Sequence, residues 1–116
     1  MVTSAEAVAL AEFPELGRLV ILRDAGWAFL PDLDDEGRVA EVRGVRAWPG
    51  SDNADAVLVR FTTDAAGLRC DGVGGVVWRR EGTLTEVVDG LLALPSPGTR
   101  GAPRLVKATV PRLWTP

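Results

Sequence analysis

The segment Gly75-Val-Val-Trp-Arg-Arg-Glu-Gly82, followed by Thr83-Leu-Thr-Glu-Val-Val-Asp-Gly-Leu-Leu-Ala-Leu94 and Pro95, decides the fold. Its first part, through Arg80, is glycine-bounded, apolar and β-branched, which predicts a strand. Thr83 and Glu86 then stand three residues apart, as in a capping box. Leu84, Val87, Val88, Leu91 and Leu92 follow at i, i+3, i+4, i+7 and i+8, one apolar helical stripe. Pro95 cannot continue a helix. A strand thus runs directly into a helix over 84–94.

Upstream of this unit the chain alternates short apolar runs with turn residues. Ala54–Thr63 has period two, which predicts Val57, Val59 and Phe61 on one face and Leu58, Arg60 and Thr62 on the other. Leu68–Cys70 and Val76–Arg80 flank Asp71-Gly-Val-Gly-Gly75, a hairpin loop. Trp27–Leu30 and Val39–Trp48 flank a second loop, Asp32-Leu-Asp-Asp-Glu-Gly37. Towards the N-terminus, Pro14–Ala25 suits a helix with proline at its first position and Gly26 past its end. It would bury Leu16, Leu19 and Val20, with Leu22 at the margin of the stripe. Thr3 with Glu6 begins another helix, through Glu12.

The predicted order is ααβββββα. Strands grouped between helices indicate an α+β domain, an antiparallel sheet of about five strands with helices packed on one face. A domain 1–94 is followed by a proline- and glycine-rich link and an apolar tail over 95–116. The tail residues Leu105, Val106, Val110, Leu113 and Trp114 are too apolar for a solvated end. They are expected to pack on the domain or on a partner.

Composition narrows the chemistry. The 116 residues include no histidine and no tyrosine, one cysteine (Cys70), one lysine (Lys107) and three serines. Nucleophilic catalysis by serine or cysteine normally recruits an imidazole as base, and zinc sites draw on Cys and His. Cofactors and metals are therefore not expected. The loop at 32–43 has acids at calcium-loop positions 1, 3 and 5 and glycine at 6, but position 12, where a bidentate Glu belongs, is Arg43. An acidic hairpin turn is the simpler reading. Gly72-Val-Gly-Gly75 lacks a Lys-Ser/Thr ending and precedes a strand, so it reads as a hairpin and not a phosphate loop. Cys70 reads as a small buried hydrophobe.

The net charge is −3 at pH 7, with residues 1–36 carrying eight acids and two arginines. Nucleic acid is accordingly an unlikely partner. A lone cysteine, no basic leader and no span-length apolar run lead to the expectation of a cytoplasmic protein without membrane contact.

Gly74–Pro95, with Gly26-Trp27, Ala47-Trp-Pro49, Ala102-Pro-Arg-Leu105 and Pro111-Arg-Leu-Trp-Thr-Pro116, resembles a group of small actinobacterial proteins of unassigned function. The abundance of Arg over Lys agrees with their high-GC genomes. The resemblance implies no activity and no site residues.

What remains for function is arginine and tryptophan on strands. Arg43, Arg46, Arg60 and Arg69 are the expected partner-binding residues, with Trp114 of the tail. Arg79, Arg80, Trp48 and Trp78 are candidates to share the open sheet face. Ordinary pairing of these arginines with Glu41, Asp55 and Asp71 is the competing reading. The expectation is a non-enzymatic protein-interaction module, a regulatory, adaptor or immunity-type protein with a protein partner or self-association as a homodimer. The alternative is a small-molecule-binding protein or a cofactor-free enzyme using arginine and carboxylates.

Overall fold

A computed structural model describes residues 14–37 and 39–109. The chain is an α+β fold. A 3-10 turn, Pro14–Leu16, leads into α1 (Gly17–Asp24). Five strands follow as an antiparallel meander: β1 (Ala28–Leu33), β2 (Val39–Ala47), β3 (Ala54–Phe61), β4 (Asp64–Cys70) and β5 (Gly75–Gly82). Helix α2 (Leu84–Ala93) and a two-residue strand β6 (Ala108–Thr109), paired with β5, complete the order. The predicted helix at 3–12 lies outside the described residues, as do Val110, Leu113 and Trp114.

Both helices pack on one face of the sheet, as the periodicity predicts. Leu84, Val87, Val88 and Leu91 of α2 are buried together with Val57, Val59, Ala65, Leu22 and Trp27. The cap is formed: Thr83 accepts a hydrogen bond from the Glu86 amide at 3.2 Å. The next free amide, Leu84, donates to the Thr62 carbonyl at 2.9 Å, which ties the helix start to the β3–β4 turn. Gly26 ends α1 with φ +106°, the left-handed geometry its position past the helix requires. Arg18 and Asp89 join the two helices at 3.0 Å.

Three expectations need correction. Leu92 is exposed and outside the core, because α2 buries a narrower stripe than its full apolar set. Phe61 does not share the core face of Val57 and Val59. A register shift between Val59 and Phe61 breaks the alternation and leaves Phe61 71% exposed. Leu58, expected on a polar face, is buried instead. It lies with Leu68, which is also buried, on the face opposite the helices.

Strand β4 starts four residues earlier than the predicted Leu68–Cys70. Asp64-Ala-Ala-Gly67 has weak strand propensity because small residues are needed there. A Cβ on Gly67 would stand 2.9 Å from Val87 Cγ1 and 3.2 Å from Leu91 Cδ1. The close approach of α2 to β4 therefore depends on that glycine.

Candidate interaction site

The strand arginines do not form one face. The pairing of Arg46 with Asp55, Asp55 with Arg69 and Arg69 with Trp78 puts these side chains on the helix-bearing side. Arg43 and Arg79 point to the other side, opposite Leu58 and Leu68 respectively. Arg60 sits at the β3 register shift, exposed, with no ion pair among the described residues.

Arg69, expected in an exposed patch, is fully buried. Its Nε and Nη2 donate to the two carboxylate oxygens of Asp55 at 2.6 and 3.0 Å. Nη1 donates to the Pro95 carbonyl at 2.5 Å. The Trp48 indole Nε1 donates to Asp55 Oδ2 at 3.0 Å. The Arg69 guanidinium lies 5.4 Å from the Trp48 ring, and Arg46 covers that ring at 3.9 Å. Asp55 thus receives three hydrogen bonds, and Arg69 spends all three nitrogens on protein acceptors. The competing reading counted Asp55 among the partners of the strand arginines but on a solvated face, and the pair is buried instead. The cluster clamps β3 and β4 to the chain leaving α2, and its buried ions are closed to a substrate.

Arg43 is also engaged. Its Nε lies 2.9 Å from Asp32 Oδ2 and 3.8 Å from Glu41. The 2.9 Å contact lacks hydrogen-bond alignment and leaves that nitrogen unsatisfied, so it is an ion pair only. The residue that would be the last calcium ligand is a cation bound to the residue that would be the first. The loop itself is an acidic turn. The Asp34 carboxylate accepts from the Glu36 amide at 2.9 Å, and Gly37 takes φ +78°. Asp71 organises the second hairpin, accepting from Val73 and Gly75 amides at 3.0 and 2.7 Å.

Cys70 is half-buried. Burial pushes its thiol pKa up, backbone hydrogen bonding at Ala54 opposes this, and Asp71 and Asp55 add to the rise; the thiol itself donates to the Ala54 carbonyl at 3.6 Å. Such a thiol holds little thiolate at neutral pH. Among the described residues no cluster of three His, Cys, Asp or Glu side chains could hold a metal ion. No described helix is long and apolar enough to cross a membrane.

Two surface features escaped sequence reading. The first is an apolar row at the β1–β2 end of the face opposite the two described helices. Ala28 pairs with Val45, Leu30 with Arg43, and Ala47 with Ala54. Ala28, Leu30, Val45 and Ala47 are all exposed. Period-two alternation could have found Leu30 and Val45, but not which face the helices leave open. The second is a groove of about 670 Å³ between β5 and the C-terminal half of α2, lined by Trp78, Arg79, Arg80, Glu81, Gly90, Ala93 and Leu94. Only the tertiary packing of α2 creates it.

No family model matches the chain, and no curated protein and no solved structure matches it significantly.

Proposed function

We propose that the protein is a non-enzymatic protein-interaction module, a small regulatory, adaptor or immunity-type protein. Its contact surface is the β1–β2 end of the sheet face opposite the two described helices. One observation carries this reading: the row Ala28, Leu30, Val45 and Ala47 is contiguous by strand register, with Leu30 67% and Val45 53% exposed. Contiguous exposed apolar side chains with a polar rim mark interaction sites. Here the rim is Asp32, Glu41 and Arg43. Strand backbone holds the row in place, so little ordering entropy opposes docking.

Pro31 directs the contact to the face and away from the edge. It lies in the outermost strand and lacks an N–H, so it removes a donor from the β1 edge. The alternative, an arginine–carboxylate site for a small molecule, gains no support from Asp55 and Arg69, whose polar atoms are already paired.

A photo-crosslinking residue at Val45 should capture a discrete protein adduct in extract of the source cells, and the same residue at Arg100 should not. Equal capture at the two positions overturns the reading.

A further inference from the structure

We propose that the groove between β5 and α2 binds an extended segment of a partner protein by strand addition, the segment alternating apolar and acidic residues. The site is distinct from the β1–β2 row, and either can fail without the other.

The backbone supplies the first argument. The Val76 carbonyl accepts from the Lys107 amide at 2.7 Å, so the polar groups of Val76 point to the outer edge of β5. The register shift between Val76 and Trp78 interrupts the alternation: Trp78 and Arg80 turn their N–H and C=O inward to Arg69 and Gly67 of β4, and those of Arg79 and Glu81 point to the outer edge. Strand β6 covers only Gly75 and Val76. Beyond Val76, no strand among the described residues pairs with this edge. An unpaired edge beside a helix is the arrangement that takes up an extended peptide, main-chain bonds giving affinity and alternate side chains giving specificity. β6 is already such an addition, made by this chain, and the groove continues its line.

The side chains specify the occupant. Trp78 and Arg80 face α2. A Cβ on Gly90 would meet Trp78 Cζ2 at 3.1 Å and Arg80 Cδ at 3.2 Å, so the indole and the aliphatic stem of Arg80 lie directly beneath the helix. Glycine within a helix is unfavourable relative to alanine. Its place here is explained by that close approach. With Ala93 and Leu94, these groups make an apolar lining. Partner residues opposite Trp78 and Arg80 point into it and are apolar. The partner residue between them points to the other face, beside Arg79. Arg79 is half exposed and, among the described residues, is held only by Glu81, two residues along the same strand. Exposed pairs of this kind contribute little, so an incoming carboxylate can displace Glu81. The segment therefore places valine-like residues in the groove and an Asp or Glu between them.

The test uses the full chain, isotope-labelled, and two synthetic peptides, one alternating Val and Glu, one alternating Val and Lys. The Val–Glu peptide should shift the Arg79 and Glu81 amides and slow their hydrogen exchange. The Val–Lys peptide should bind about tenfold more weakly. Arg79→Glu, at an exposed position, should reverse that preference. Glu81→Pro removes an outward N–H and should abolish binding of both peptides. As a fold control, the Leu68 and Val57 amide shifts of each variant must match wild type. Shifts confined to β1 and β2, equal binding of the two peptides, or unchanged exchange at Arg79 and Glu81 would each overturn the proposal.

Discussion

Arg69 and Asp55 face each other across β4 and β3 and form a buried bidentate pair, Nε and Nη2 on the two carboxylate oxygens. Two ions out of water are costly, and their geometry here meets that cost with additional bonds to Trp48 and Pro95. Removing one partner strands the other. Asp55→Ala should destabilise the protein by about 3–5 kcal/mol in urea unfolding. Asp55→Leu combined with Arg69→Met should recover most of the loss. A single variant that melts like wild type would show that the pair is not sealed.

The two sides of α2 should respond differently. Leu91→Ala leaves a cavity against Gly67 and should cost about 2–5 kcal/mol. Leu92→Ala, at an exposed position, should stay within about 0.5 kcal/mol. Thr83→Ala deletes the cap bond to Glu86 and should cost about 1 kcal/mol. Denaturant midpoints at constant slope distinguish the three.

Gly67→Ala is a test of close packing. Alanine ordinarily gains about 0.4–1 kcal/mol over glycine through the unfolded chain. Here its methyl would overlap Val87, and overpacking costs about 1–3 kcal/mol. A net loss of stability is expected, and Val87→Ala in the same chain should lessen it. A stabilised Gly67→Ala would place α2 farther from the sheet.

Cys70 sets an alkaline limit. Its pKa is raised by burial, so the folded state holds the thiol proton above the pH at which the unfolded thiol, near about 8.5, releases it. The unfolded state then binds fewer protons, and stability falls as pH rises through that range. Cys70→Ser should flatten this part of the pH–stability curve. Thiol labelling of the native protein should be slow at neutral pH compared with the protein in urea. Equal rates would contradict the half-buried placement.

Local chemistry determined by itself what depends on neighbours a few residues apart. The α2 cap, its proline stop, the Asp34 and Asp71 turns and the end of α1 at Gly26 were all legible, because each rests on hydrogen bonds or dihedral preferences within one turn of chain. The antiparallel sheet with helices packed on one face followed from grouping of elements. Which arginines meet was not legible. That depends on register, and the shifts at Val59/Phe61 and Arg69/Cys70 reassign faces in a way period-two counting cannot anticipate. Tertiary structure alone buried Arg69, exposed Phe61, required glycine at 67 and opened the groove beside Trp78. Each of these is a contact between elements far apart in sequence, where the close approach of a helix or the pairing of a neighbouring strand outweighs the preference of the residue itself.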